Sequence, residues 1–186
     1  NSYYKGFLKS NGDYIFFLDS DDYFKRTKIK LVVDQFTKTK IDLIFDLPIL
    51  KFKNFFKKEK FIQKKFIFSS WPRFSPQSCI SVKREFANEI FNNVKINKFE
   101  SIWFDFRIAA YSFLKKKNIF IFYRYLTYYR QLESSASKNY KLFSKNWWYR
   151  RNQAHDILSY FSKKLKKKDK LTLDKFLTKI IYFFFK

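Results

Sequence analysis

The stretch "GDYIFFLDSDDYF", Gly12 to Phe24, decides how the chain is read. An apolar run, Tyr14 to Leu18, ends directly in Asp19, Asp21 and Asp22. The run is short and aromatic, and it reads as a buried strand. In open α/β sheets, ligands bind beyond the carboxyl ends of strands, and the acidic cluster sits at such an end. Three carboxylates within four positions repel one another, so they gain most when a cation lies between them. Hard oxygen ligands suit Mg2+ or Mn2+, which bind through one or two carboxylates plus substrate phosphates. The plainer alternative is that Asp22 caps the next helix and its neighbours are solvated.

Outward from this stretch, strands and helices alternate. Ile29, Val32, Val33 and Phe36 fall at helical spacing and predict an amphipathic helix over 22–37. Asp42 to Leu50 reads as a second strand, with Pro48 placing it at an edge or an end. The segment 51–68 interleaves basic and aromatic residues and fits no single pattern. "SSWPRFSPQS" is a loop, and Cys79 to Val82 is a short strand leading into a helix over Lys83 to Phe91. Ile102 to Leu114 predicts a helix, and "NIFIFY" and "YLTYY" predict two strands followed by a polar loop. Trp147, Ala154, Leu158, Phe161 and Leu165 form a helical stripe, and a basic run, Lys163 to Lys170, follows. The alternation argues for an α/β fold.

Composition narrows the function classes. The chain has 186 residues, 46% of them apolar, which is enough for one domain with a real core. Only two glycines are present, which excludes a Walker A loop and a GxGxxG fingerprint within the chain. The single cysteine, Cys79, excludes an internal disulfide and a Cys-rich zinc site. No segment reaches the ~18 apolar residues that span a bilayer. With no Met and no signal peptide, the sequence reads as a fragment whose N-terminal part is missing. The formal net charge of +24 attracts polyanions: nucleic acid, anionic lipid or phosphorylated substrates. The same charge follows equally from the Lys-, Phe-, Ile- and Asn-rich usage of an AT-rich genome.

Five segments, in order, carry a family resemblance. "SNGDYIFFLDSDDYF" resembles the Asp-x-Asp metal-binding segment of bacterial family 2 glycosyltransferases. "WPRFSPQSCISVKREF" resembles the segment lining the sugar-donor and acceptor region, and "FESIWFDFRIAAYSF" the helix that carries the catalytic base. "YLTYYRQLESSASK" resembles the strand and loop that close the site, and "NWWYRRNQAHDIL" a C-terminal helix of some members. The resemblance implies an α/β, GT-A-like mixed sheet flanked by helices, incomplete at its N-terminus, with C-terminal helices. It implies a partial catalytic domain over 1–138 and a basic helical extension over 139–186. Two motifs depart from the family pattern. Leu132 stands where many members have a His, and Phe104-Asp105 replaces a Glu-Asp pair.

The implied chemistry is metal-dependent, inverting transfer of a sugar from a nucleotide-sugar to a hydroxyl of a saccharide or lipid-linked acceptor. Cell-surface polysaccharide or glycolipid synthesis is the implied setting. Asp21 is the leading metal ligand and Asp22 the second, for Mn2+ or Mg2+. Asp19 faces the ribose or acts through the metal's water shell. Asp105, among Trp103, Phe104 and Phe106, is the expected general base, with Glu100 in reserve. Ser20, Trp71, Ser78, Tyr129 and Arg130 are expected to bind donor or acceptor, Trp71 by stacking on a sugar ring. His155 reads as surface or structural. The basic run and Phe183 to Phe185 suggest contact with an anionic membrane surface on the cytoplasmic side. The competing readings are a nucleic-acid-binding module built on Phe52 to Phe68 and an inactive relative of the enzymes. Nucleic acid is not the expected partner, because no RNA-recognition signature is present and the acidic strand end repels a phosphate backbone.

Overall fold

A computed structural model describes residues 2–59, 71–72, 74–94, 98–132 and 139–185. They fall into two compact units that interleave along the chain. The first takes its residues from Asn1–Phe61, Phe74–Lys95 and Lys116–Gln131, and the second from Ile62–Arg73, Ile96–Lys115 and Leu132–Lys186.

The first unit is a six-stranded mixed sheet with three helices: α1 (Ser2–Lys9), α2 (Lys28–Lys38) and α3 (Arg84–Val94). The strands are β1 (Tyr14–Phe16), β2 (Tyr23–Phe24), β3 (Leu43–Lys51), β4 (Phe56–Lys58), β5 (Ile80–Lys83) and β6 (Ile119–Arg130). Their order is β1-β5-β3-β6-β2, with β4 pairing to the far half of β3. β5 runs antiparallel to β1 and β3, and β6 runs parallel to β3. The first seven residues of β3 are buried, as befits a strand covered on both faces. Val32 and Phe36 of α2 pack with Ile41, Ile44 and Leu126, and the Tyr14 ring stacks on Phe36 at 5.0 Å. α3 turns Phe86, Ala87, Ile90, Phe91 and Val94 inward at helical spacing.

Three expectations are corrected here. The helix expected over 22–37 is α2 and starts at Lys28, not at 22, because Tyr23 and Phe24 pair with Tyr128 and Thr127 as strand β2. Asp22 therefore caps no helix, and Thr27 takes the N-cap position without a side-chain bond. Pro48 is not at a sheet edge, since β3 is central. A register shift between Leu47 and Pro48 accommodates the proline, which has no N–H to donate. The two strands expected after Asn118 are one twelve-residue strand, β6. Its partner register jumps from Phe45↔Ile121 to Leu47↔Tyr125, so β6 carries extra residues there and bulges. The polar Tyr123-Arg124 stretch that reads as a break is this exposed bulge.

The second unit is helical: α4 (Phe104–Lys115), α5 (Lys145–Lys164) and α6 (Leu173–Phe185). Ala154, Ile157, Leu158 and Phe161 form the inward stripe of α5, and Tyr111 of α4 meets Phe161 edge-on at 5.5 Å. The Ser144 hydroxyl caps α5 by accepting from the Trp147 amide. Phe99, ahead of α4, adopts a left-handed conformation with φ 64°, unusual for a non-glycine residue. The Arg107 guanidinium satisfies this turn, donating to the carbonyls of Ile102, Lys98 and Phe99 at 2.8, 3.0 and 2.7 Å. Burial lowers the Arg107 pKa.

Candidate functional site

The chain leaves β1 at one edge of the sheet and re-enters as β2 at the other edge. The acidic residues make this crossing. β1, β3 and β6 run in the same direction, so the crossing starts at a carboxyl end, where α/β sheets bind ligands. The Asp22 amide donates to the Asp19 carbonyl at 3.1 Å and closes a tight turn over 19–22. Both ends of the turn are pinned. The Asp19 amide donates to the Ser78 hydroxyl at 3.0 Å, and the Arg130 amide donates to Asp22 Oδ1 at 2.9 Å. The Tyr3 hydroxyl of α1 donates to Asp19 Oδ1.

The acidic residues differ in environment. Ser20 is exposed, and Asp19 and Asp21 are half-buried. Asp22 is only 6% exposed, and its Oδ2 makes no hydrogen bond of normal geometry with the described residues. Burial pushes the Asp22 carboxyl above its ordinary range. The Ser78 hydroxyl and Arg130 amide oppose that rise, while the charges of Asp21 and Asp19 add to it. An added cation reverses the largest of these costs by giving the orphaned oxygen a partner. Among the described residues, no three His, Cys, Asp or Glu side chains converge as a ready-made metal cage.

Ser78, Tyr129 and Arg130 belong to the same unit as the turn. Ser78 is fully buried and lies in a short 3-10 turn ahead of β5. Tyr129 is half-buried at the end of β6. Arg130 is exposed, with its guanidinium 5.9 Å from the centre of the Tyr23 ring. The remaining expected residues lie in the second unit. Asp105 is buried in the first turn of α4, and its Oδ1 accepts from the Phe106 amide at 2.6 Å. Glu100 is exposed in the preceding turn. Trp71 is half-buried, with Phe106 at 5.0 Å, His155 at 5.2 Å and the Arg151 guanidinium at 4.9 Å from its ring. His155 is buried, 3.3 Å from Asp174, which also pairs with Arg151 and ties α6 to α5. Part of the basic-aromatic segment 52–68 lies outside the described residues; its described part is largely exposed and includes β4.

One feature of the site escaped the sequence reading. Lys28 and Asp46 form a fully buried ion pair at 2.7 Å. Lys28 Nζ also donates to the Ser78 carbonyl and to Thr127 Oγ1, each at 2.7 Å. Thr127 in turn donates to Asp46 Oδ1 at 2.7 Å. Burial raises the Asp46 pKa against the opposing pull of Lys28, and it raises the Cys79 thiol well above its usual value. The signal was present: Lys28 shares the i, i+4 stripe of Val32 and Phe36, and Asp46 is the one charge in "LIFDLPIL".

The family model for "Glycosyl transferase family 2" matches residues 1–119. The chain belongs to glycosyl transferase family 2. No curated protein matches it. Among solved structures, S. aureus TarS 1–349 in complex with UDP-GlcNAc aligns at a TM-score of 0.55 and 11% identity, over 97% of this chain and 50% of that one. The same TarS segment with UDP aligns at 0.50 and 11%, over 96% and 47%. The chain thus spans about half the length of these relatives. At this identity the likeness is one of fold, and this family 2 chain is a GT-A-like mixed α/β structure with C-terminal helices.

Proposed function

We propose that this family 2 chain is part of an inverting glycosyltransferase that uses a nucleotide-sugar donor and a divalent metal. The observation that carries the reading is Asp22: a buried carboxylate with an orphaned oxygen in an acidic turn at a strand's carboxyl end. UDP-GlcNAc in the structurally similar TarS supports a nucleotide-sugar as the donor class. Asp21 and Asp22 hold Mn2+ or Mg2+, and Asp19 meets the ribose or the metal's water shell. When bound, the metal supplies Lewis-acid neutralisation of the charge that collects on the departing diphosphate. Arg130 and Tyr129 close over that diphosphate, and Ser20 and Ser78 shape the donor side.

Asp105 takes the proton of the acceptor hydroxyl while the acceptor oxygen bonds to the anomeric carbon and the bond to the diphosphate breaks. Glu100 is the reserve base. Trp71 stacks on a sugar ring of a saccharide or lipid-linked acceptor. Cell-surface polysaccharide or glycolipid synthesis is the setting we infer, at the cytoplasmic face of a membrane. α6 supports the membrane part. Its outward stripe is apolar, with Leu173, Phe176, Leu177, Ile180, Phe183 and Phe184 all exposed. Asp174, Lys175 and Lys179 instead pair with α5 or the loop before α6. Beside this inverted helix runs the basic segment Lys163 to Lys170, suited to an anionic leaflet. No helix among the described residues is long and apolar enough to cross a membrane.

Calorimetric titration of UDP tests the core of the reading. Binding should require Mn2+ or Mg2+ and weaken at least tenfold in Asp21→Ala. Equal affinity with metal and with chelator refutes it.

A further inference from the structure

We propose that the buried Lys28–Asp46 pair is a positioning device for the acidic turn, fixing its two ends, Asp19 and Asp22, so that Asp21 and Asp22 are presented to a divalent cation. The inference rests on the metal reading above and names the residues that set the site's geometry.

Three acceptors surround the Lys28 ammonium: Asp46 Oδ2, the Ser78 carbonyl and Thr127 Oγ1, all at 2.7 Å. The Ser78 carbonyl and Thr127 Oγ1 accept hydrogen bonds from it, and Asp46 Oδ2 is its ion-pair partner. The Phe24 ring lies 4.0 Å away and contributes a cation–π contact. Three of these partners lead to the turn: Ser78 directly, and Thr127 and Phe24 along their strands. Ser78 accepts the Asp19 amide through its hydroxyl while Lys28 holds its carbonyl. Thr127 stands three residues before Arg130, whose amide holds Asp22 Oδ1. Phe24 follows Asp22 by two residues, in β2. One ammonium therefore reaches both anchors of the turn and the strand after it.

The bulges of β6 are part of the device. They re-register the strand so that Thr127 pairs with Pro48, one position after Leu47↔Tyr125. There the hydroxyl bridges Lys28 and Asp46, accepting from one and donating to the other. Proline at the paired position removes a backbone donor, consistent with the broken register.

Core stability alone does not call for this arrangement. Val32 and Phe36 fill the same helical stripe with apolar side chains. A buried ion pair is often matched or bettered in stability by apolar residues of similar volume. Apolar side chains cannot, however, hold the Ser78 carbonyl or orient Thr127. A purely structural pair and a positioning pair therefore differ in what survives apolar replacement.

The test is Mn2+ alone, titrated into the full chain and followed by the paramagnetic resonance of free Mn2+, with thermal melting in parallel. The variants are Asp22→Asn, the double variant Lys28→Met with Asp46→Leu, and the pair Thr127→Val and Thr127→Ser. The expected result is a double variant that melts within a few degrees of wild type and binds Mn2+ at least tenfold more weakly. Thr127→Val should show the same direction of loss, and Thr127→Ser, which keeps the hydroxyl, should restore most of the affinity. If the double variant does not fold, the threonine pair decides: equal affinity in Thr127→Val and wild type overturns the inference. Wild-type binding that Asp22→Asn abolishes and the folded double variant keeps overturns it too, while leaving the metal reading intact. A wild-type chain that binds no Mn2+ overturns the metal reading, and this inference with it.

Discussion

Asp22→Asn separates stability from function at the proposed metal site. In the metal-free chain, Asp22 is buried with Oδ2 orphaned. Asparagine keeps an oxygen to accept from the Arg130 amide and removes the buried charge. Leaving a buried group unsatisfied costs ~1–3 kcal/mol, and more when it is charged; asparagine leaves Nδ2 in the place of Oδ2, so the gain comes from the lost charge, and on that scale the variant should be more stable than wild type near neutral pH. For a chain of 186 residues each kcal/mol moves the melting temperature by ~2–4 °C, which places the gain at about 2–12 °C. The pH dependence has a definite sign. The folded-state pKa of Asp22 is raised, so folding is favoured by its proton. That contribution is complete below the unfolded value and is lost as pH rises through the folded value. Asp22→Asn removes this part of the pH slope, so the gain should shrink as pH falls. Mn2+ at about a hundred times its Kd should add ~2.7 kcal/mol to wild type and little to the variant. Melting curves with and without Mn2+, at several pH values, read all of this. A variant that melts below wild type without metal, or that gains as much from Mn2+, refutes the reasoning.

In an assay of sugar transfer, Asp105→Asn should lower kcat by ~10² or more with donor affinity nearly unchanged; wild-type turnover there, with loss in Glu100→Gln, moves the base to Glu100. Arg107→Met should cost ~2–4 kcal/mol in chemical denaturation, because it strips three carbonyls around Phe99 of a charged donor; a change under ~0.5 kcal/mol contradicts the role of Arg107 in holding that turn. Co-sedimentation with anionic vesicles should fall as salt rises and drop further in Phe183→Ser with Phe184→Ser; binding that survives both changes removes α6 from the membrane reading.

The sequence by itself determined much of the element pattern and the place of the acidic turn. An apolar strand that runs into Asp-Ser-Asp-Asp is a local signal, and the helical stripe of α5 and the Pro- and Ser-rich loop around Trp71 are also local. The errors arose where pairing overrides local character. Residues 23–24 carry a helix-compatible pattern but become a strand, because β6 offers an edge to pair with. The exposed Tyr123-Arg124 stretch reads as a break but is a bulge within one strand. Lys28 and Asp46 are eighteen positions apart, and their partner Thr127 is more distant still. Periodicity shows that each charge lies on a buried stripe; only the packing of α2 against the sheet shows that the charges meet. The same holds for Asp22. Its carboxylate is visible in the sequence, but burial and the missing partner of Oδ2, which give it chemical meaning, come from chain segments that the tertiary fold brings together.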